Sequence, residues 1–260
     1  MGQTTRDRQQ CIISELLDKK HVTVRDLATN LDLSEATIRR DLKTLASQGQ
    51  LTLIHGGATL PRTADFSFRS KQPRNAEGKR VIGRLAAELI GDGDQVFLDS
   101  GTTAFEVCPH LRQKRGLCVL ANSARLALEL DGPGVEVILL GGSYRPDRMD
   151  TIGPITTTTL EQLRGYLAFI GADGLSRDFG PSAADVESAH LHRLVVQNAR
   201  EAVLLADHTK FEGASLFRIV QWDKISRVIT DRRPSDEWMR FFDENGIDVI
   251  EPAGNASAED

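Results

Sequence analysis

The sequence has no apolar run close to the length of about 20 residues that a membrane-spanning helix needs, so we expect no membrane partner. Its first ten residues, MGQTTRDRQQ, are charged and lack an apolar core, so we expect no signal peptide. The chain has only three cysteines, Cys11, Cys108 and Cys118, and their spacing matches no metal site. We therefore expect a cytoplasmic protein with reduced thiols and with neither metal nor cofactor.

Charge is unevenly distributed along the 260 residues, whose formal net charge is −5. Residues 1–80 hold 14 Lys and Arg against 9 Asp and Glu, whereas the remainder holds 18 against 28. The length predicts two domains. A basic N-terminal third on an acidic body is expected when one domain meets nucleic-acid phosphates and the other does not, although chance variation could also produce it.

Helix signals recur in the first fifty residues. Residues 6–19 have amphipathic helical spacing, and Thr23-x-x-Asp26 forms a capping box for a short helix through Leu31. After a turn at 32–33, Ser34 is a favourable N-cap for a third, longer helix. A short helix, a turn and a longer helix predict a helix-turn-helix motif.

The third helix has two contrasting faces. Ile38, Leu42 and Leu45 form the stripe that we expect to be buried. The opposite face carries small, hydroxyl and cationic side chains: Ala36, Thr37, Arg39, Arg40, Lys43 and Thr44. Such a face suits a major groove, although a solvated helix could look the same. The next segment favours DNA, because Gly49 should end the helix and residues 51–59 should form a two-stranded wing with a glycine turn.

Several motifs agree in order and spacing with a known family: Arg8-x-x-x-Ile12, Val22-x-Val24-x-Asp26-Leu27-Ala28, Ser34-x-x-Thr37-Ile38-Arg39-Arg40-Asp41-Leu42 and Gly49…His55-Gly56-Gly57-Ala58. This pattern resembles the N-terminal signature of the deoxyribose-repressor (DeoR) family. The resemblance implies a winged helix-turn-helix over residues 1–60 that binds double-stranded operator DNA through Thr37, Arg39, Arg40, His55 and Gly56. Ser34, Ala36 and Lys43 complete our predicted DNA-binding set. We expect Asp41 to pair with an arginine of its own helix.

The remaining chain predicts a linker and an α/β domain. Residues 61–79 are polar and contain two prolines, which indicates a linker with a helix starting near Asn75. Over residues 80–251, apolar strands at 95–98, 117–120, 135–140, 167–170, 202–205, 227–230 and 248–250 alternate with helices at 79–90, 102–112, 123–130, 154–164, 186–199 and 235–245. This alternation predicts a largely parallel sheet with helices on both faces. Residues 252–260 should form a disordered tail.

Small and polar residues follow five of the predicted strands. These segments are Asp99-Ser100-Gly101-Thr102-Thr103, Ala121-Asn122-Ser123, Gly141-Gly142-Ser143, Gly171-Ala172-Asp173-Gly174 and Ala206-Asp207-His208-Thr209-Lys210. In open α/β sheets, ligands bind at the carboxyl ends of the strands. Residues 99–103 could hold an anion at a helix N-terminus, carboxylates and an amide could bind sugar hydroxyls, and Lys210 could offset phosphate charge.

The same segments resemble the sensor domain of the DeoR family, whose fold is similar to ribose-5-phosphate isomerase. Further matching stretches are Leu140-Gly141-Gly142, Leu205-Ala206-Asp207…Lys210-Phe211 and Ile229-Thr230-Asp231. The resemblance implies a phosphorylated sugar effector and a homo-oligomer, a dimer or a tetramer. Our predicted effector-binding residues are Asp99, Ser100, Gly101, Thr102, Thr103, Asn122, Ser123, Gly141, Gly142, Asp173, Gly174, Asp207 and Lys210.

We expect a transcriptional regulator, in particular a repressor of a carbohydrate-metabolism operon, with no catalytic residue. One alternative is a sugar-phosphate isomerase fused to a DNA-binding module, with Asp99, Asp173 or Asp207 as the base. Gly174 stands where the isomerase pattern has a second acid, which disfavours this alternative. Another alternative is a ligand-free dimerisation scaffold. We expect His190 and His192 to be ordinary surface or capping residues.

Overall fold

The computed structural model describes residues 5–19, 21–47, 51–59 and 67–253. It divides into two compact units, residues 1–71 and residues 72–260. The predicted end of the third helix at Gly49, residues 61–66 of the predicted linker and residues 254–260 of the predicted tail lie outside the described residues. The prediction of a linker was wrong for residues 68–71, which form a short helix, whereas the helix expected near Asn75 begins at Ala76.

The first unit contains four helices and three short strands among its described residues. In chain order they are α1 (Thr5–Lys19), β1 (His21–Thr23), α2 (Val24–Asn30), α3 (Glu35–Ser47), β2 (Thr52–Ile54), β3 (Gly57–Thr59) and α4 (Phe68–Lys71). Strand β3 pairs antiparallel with both β2 and β1. The wing is therefore a three-stranded sheet, one strand more than the sequence predicted, because residues 21–23 pair before α2 begins.

Local signals fix the helices of this unit. The Thr23 hydroxyl accepts the N–H of Asp26 at 3.1 Å, and the Ser34 hydroxyl accepts the N–H of Thr37 at 3.2 Å, as the two predicted caps require. The stripe Ile38, Leu42 and Leu45 lies in the core, where it packs with α1 and α2. These results confirm the predicted helix-turn-helix.

The ion-pair partner of Asp41 differs from the predicted one. Its carboxylate is buried and pairs with Arg8 of α1, with Nε to Oδ2 at 2.5 Å and Nη2 to Oδ1 at 3.0 Å. The prediction of a partner within α3 was wrong, because Asp41 flanks the buried stripe and faces α1, whereas Arg39 pairs with Glu35 instead.

The second unit is an α/β domain. Its helices are α5 (Ala76–Glu88), α6 (Thr102–Phe105), α7 (Cys108–Leu111), α8 (Ala124–Glu129), α9 (Pro154–Glu161), α10 (Val186–Asn198) and α11 (Asp236–Glu244). Its strands are β4 (Gln95–Leu98), β5 (Leu117–Ala121), β6 (Val135–Leu139), β7 (Ser143–Arg145), β8 (Asp150–Ile152), β9 (Leu167–Gly171), β10 (Gly174–Ser176), β11 (Gly180–Ala183), β12 (Glu201–Leu205), β13 (Phe217–Arg218), β14 (Arg227–Ile229) and β15 (Asp248–Ile250). Residues 208–212 and 222–224 form 3₁₀ helices.

A seven-stranded sheet in the order β15-β14-β12-β9-β4-β5-β6 organises this unit, and all its pairings are parallel. Residues facing one side of the sheet pack with α9, α10 and α11, and residues facing the other pack with α5 to α8. Helices therefore cover both faces, as predicted. Because the strands are parallel, all their carboxyl ends lie on the same side of the sheet, which we call the carboxyl edge. The predicted effector-binding residues come directly after the strands on this side.

Three features of this unit differ from the prediction. The strands β7 and β8 form an antiparallel hairpin between β6 and α9, and β10, β11 and β13 form a second small sheet. In addition, the predicted helix at 102–112 is two short helices, α6 and α7. Pro109 stands in the first turn of α7, where its missing N–H is tolerated, so it starts a new helix rather than continuing α6.

Candidate functional sites

The first candidate site is the exposed face of α3. Ala36, Arg39, Arg40 and Lys43 are exposed there, and Thr37 is half-buried beside Ser34. Arg39 forms an ion pair with Glu35, with Nη2 to Oε2 at 2.8 Å. Arg40 and Lys43 form no ion pair with any described residue, which leaves their charges available to a polyanion.

The turn between β2 and β3 holds the two remaining predicted DNA-binding residues, His55 and Gly56, and both are exposed. Gly56 has a φ of +78°, a conformation that favours glycine, and its carbonyl accepts the N–H of Val24 at 2.9 Å. The backbone of the wing is thus tied to the start of α2.

Arg40→Ala should weaken operator binding by about 1–3 kcal/mol and relax specificity at one base pair if Arg40 reads a base edge. Titration of operator and scrambled duplexes by fluorescence anisotropy measures this. Arg25→Ala, which removes a positive charge from α2, is the matched control for lost charge. An equal loss for both duplexes would show that Arg40 contacts phosphate only.

The second candidate site lies at the carboxyl edge of the large sheet, and its centre is a buried Asp–His pair. Asp99 follows β4, and its Oδ1 lies 2.8 Å from Nε2 of His192 on α10. Burial opposes ionisation of Asp99, but the charge and hydrogen bond of His192 and the N–H groups of Gly171 and Gly101 hold its pKa below the ordinary value. The pair therefore favours a carboxylate beside an imidazolium.

The β7–β8 hairpin brings two arginines to the same edge. Arg145 donates to Asp150 at 2.6 and 2.8 Å and to Asp185 at 3.1 Å, while Arg148 also bonds to Asp185. The carboxylate of Asp185 caps α10 through the N–H of Ser188 at 2.9 Å. Burial works against ionisation of Asp185, yet the Ser188 N–H and the two arginines lower its pKa to about 2.

Ser100 and Asn122 join these groups. The Ser100 hydroxyl donates to Asp150 at 3.1 Å, and the Asn122 amide donates to the Thr151 carbonyl of the hairpin at 2.9 Å. Two polar atoms in this part of the edge are buried without a hydrogen-bond partner among the described residues: Oδ1 of Asn122 and Nδ1 of His192. Since buried polar atoms are nearly always bonded, the two atoms indicate where a polar ligand could bind.

Several other predicted effector-binding residues have roles in helix capping and packing. Ser123 caps α8 through the N–H of Leu126 at 3.3 Å, while Thr102 and Thr103 are buried in α6, which Gly101 precedes as N-cap. A Cβ on Gly142 would lie 2.0 Å from Oγ1 of Thr156, and one on Gly174 would lie 2.2 Å from the Gly213 carbonyl oxygen. These two glycines are thus required by packing. Gly141 is exposed.

The last predicted residues follow β9 and β12. Asp173 is half-buried and accepts the N–H of Ala184 at 2.8 Å. Asp207 is buried and caps the 3₁₀ helix at 208–212, because its carboxylate accepts hydrogen bonds from the backbone N–H and the hydroxyl of Thr209. Lys210 lies half-buried in that helix and forms no ion pair with any described residue.

The sequence analysis missed His192, Arg145, Asp150 and Asp185. The prediction that His192 is a surface or capping residue was wrong, since it is buried against Asp99, whereas His190 is exposed as predicted. One signal was available: Ser188 and His192 are four residues apart on one face of α10, and the N-cap Asp185 precedes them at helical spacing. Among the described residues, no group of three or more His, Cys, Asp or Glu is placed to hold a metal ion.

Comparison with known protein families identifies both units. Residues 8–64 match the DeoR-like helix-turn-helix domain, and residues 74–232 match the DeoR C-terminal sensor domain. These matches confirm the resemblance inferred from the sequence motifs. No helix among the described residues is both long and apolar enough to span a bilayer.

Individual relatives are similar over nearly their full length. The HTH-type transcriptional repressor GlcR of Bacillus subtilis is 33% identical over 250 residues, covering 94% of this chain and 95% of that protein. The lactose phosphotransferase system repressor of Lactococcus lactis is 31% identical over 227 residues, covering 85% and 89%. Among solved structures, ribose 5-phosphate isomerase A of Methanocaldococcus jannaschii is 19% identical, with a TM-score of 0.38 over 53% of this chain and 55% of that one.

Proposed function

The chain belongs to the DeoR family of helix-turn-helix transcriptional regulators, and we propose that a phosphorylated sugar bound at the carboxyl edge of the large sheet controls its operator binding. We further propose that it acts in the cytoplasm as a homo-oligomeric repressor of carbohydrate-metabolism genes. The names of relatives support this role, since one of them is the repressor of a lactose phosphotransferase system. Family membership favours a regulator over the isomerase alternative.

The observation that carries the effector proposal is the pair of unpartnered atoms, Oδ1 of Asn122 and Nδ1 of His192, beside the Ser100–Asp150–Arg145 network. The amide oxygen can only accept a hydrogen bond, and the imidazolium nitrogen can only donate one. A sugar hydroxyl can do both. Sugar hydroxyls can therefore satisfy either atom, where an apolar ligand would leave both of them buried and unbonded.

A lysine that follows another strand at the same end of the large sheet favours an anionic group on that sugar. Lys210 has no ion-pair partner among the described residues, and the first N–H groups of α6 lack helical partners. Because α6 is only four residues long, it adds little helix dipole, so we assign the main counter-charge to Lys210. Together these groups match a phosphorylated sugar better than a neutral one.

Thermal unfolding of the full chain with glucose 6-phosphate, fructose 6-phosphate and ribose 5-phosphate, each compared with its unphosphorylated sugar, tests the proposal. An effector at about 100 times its Kd should add roughly 2.7 kcal/mol of stability. Lys210→Met should remove the preference for the phosphorylated form, whereas Lys224→Met, an exposed lysine on the other 3₁₀ helix, should not. The same ligands should change operator affinity.

Absence of stabilisation by any of these compounds would favour the ligand-free scaffold and would leave only the DNA-binding function. Stabilisation without a change in operator affinity would contradict control by the effector, since a ligand shifts an equilibrium only through different affinities for its two states.

A further inference from the structure

The two outermost strands of the seven-stranded sheet, β15 and β6, differ in how well their free backbone groups are protected from pairing with another chain. At one edge, β15 is three residues long, begins at Asp248, which pairs with Arg227, and is soon followed by Pro252. At the other edge, β6 has the five residues Val135–Leu139 and a single charge, Glu136. Short strands, charges and proline are what keep sheet edges from pairing with another chain. By this measure β15 is blocked and β6 is open.

Exposed apolar residues concentrate at the open edge. Ile138 and Leu139 of β6 are exposed to 37% and 45%, and Leu128 of the adjoining helix α8 is exposed to 75%. On the face of β6 that α8 covers, Val135 and Val137 are only partly buried. Exposed apolar residues grouped at one strand and its neighbouring helix are typical of surfaces that contact another protein chain.

Backbone polarity determines which residues of β6 can pair outward. Leu140 donates to the carbonyl of Ala121, and the Gly134 carbonyl accepts the N–H of Leu117, so even-numbered positions bond to β5. In a regular parallel ladder the intervening residues present both backbone groups to the other side. Val135, Val137 and Leu139 therefore direct their N–H and C=O groups toward the open edge.

These three residues form a self-complementary set. In an antiparallel pairing about a two-fold axis at Val137, Val137 meets its own copy and Val135 meets Leu139. Val135, Val137 and Leu139 then all exchange backbone hydrogen bonds with the second copy. Pro133, which has no N–H to donate, lies outside this pairing. On the other face Glu136 lies opposite Ile138, so no like charges meet across the axis. A pairing centred on Glu136 or Ile138 would instead bring together residues whose N–H and C=O groups already bond to β5, so they could not bond to the second copy.

We propose that β6 is an interface between two copies of this chain, which pair antiparallel about Val137 to join their large sheets. Leu128, Ile138 and Leu139 would be covered in this dimer. The two-fold symmetry suits a helix-turn-helix protein, because such dimers read two half-sites of a palindromic operator. The inference rests on the homo-oligomer proposed above and is independent of the effector.

Analytical ultracentrifugation of the full chain tests this interface with two edge variants. Val137→Pro removes an outward N–H without removing a bond to β5, and Leu139→Lys adds a charge at an exposed position. We expect the wild-type mass to be an even multiple of 28.6 kDa and both variants to have half that mass. Leu216→Lys, at an exposed apolar residue outside the edge, should leave the mass unchanged.

Far-UV circular dichroism shows whether a variant that has lost the dimer is still folded. If Val137→Pro does not fold, the mass of the Leu139→Lys variant decides the test. A monomeric wild type, or an unchanged mass in a folded Leu139→Lys variant, would overturn the proposal. Dissociation by Leu216→Lys would overturn it too. A failed response to sugar phosphates would leave these masses unaffected, so the two proposals fail separately.

Discussion

Asp41→Ala should unfold the N-terminal unit and abolish operator binding, although Asp41 does not belong to the predicted DNA-binding residues. The buried carboxylate forms two hydrogen bonds with Arg8, whose side chain is only 15% exposed. Removing one partner of a buried pair leaves an uncompensated charge and costs about 3–5 kcal/mol. The free energy of unfolding of a unit of about 60 residues is little larger than this cost.

The two units can be followed separately in this experiment, because both tryptophans, Trp222 and Trp238, lie in the second unit. Urea titration of Asp41→Ala should therefore shift the helical signal of circular dichroism while tryptophan fluorescence keeps its wild-type midpoint. Glu35→Ala breaks the exposed pair with Arg39 and should cost about 0–1 kcal/mol. If Asp41→Ala cost no more than this control, the Arg8–Asp41 pair would have no structural importance.

Local signals in the sequence were sufficient to predict most elements of the fold. Thr23 and Ser34 act on N–H groups three residues away, so their capping role depends on the nearby chain alone. The apolar stripe of α3 and the buried strands of the large sheet are likewise periodic patterns within single elements. The exposed face of α3 could be predicted for the same reason, as the surface opposite the stripe.

Contacts between distant segments were not accessible in the same way. The partner of Asp41 lies 33 residues away, and the partner of Asp99 lies 93 residues away. The hairpin β7–β8 carries weak local signals, yet it supplies Arg145 and Asp150 to the candidate effector site. Sequence patterns therefore indicated the edge of the sheet where polar loops converge, but not the side chains from the hairpin and α10 that complete it.

The Asp99–His192 pair should make the stability of the second unit depend on pH in a defined direction. Burial alone would lower the pKa of His192, but Asp99, Asp173 and Asp185 raise it above 6.5. A raised histidine pKa contributes stability that is complete below about pH 6.5 and is lost as the pH rises through the folded-state value. The pKa of Asp99 is lowered from 3.8, so its contribution is present above that value and is lost as the pH falls through the folded-state pKa. The pair therefore contributes most between about pH 4 and pH 6.5.

His192→Gln should remove this dependence. Near pH 6 the variant leaves Asp99 buried without its cationic partner, at a cost of about 3–5 kcal/mol. As the pH rises above 6.5, the wild type should lose up to about 1.4 kcal/mol per pH unit relative to the variant, so the two urea midpoints converge. His190→Gln, two residues away and exposed, should follow the wild type at every pH. Tryptophan fluorescence reports these midpoints. All titrating groups except His192 are common to the wild type and His192→Gln. Parallel curves for these two proteins above pH 6.5 would therefore mean that His192 is neutral when folded at those pH values, and the donor that we assign to the effector site would be missing.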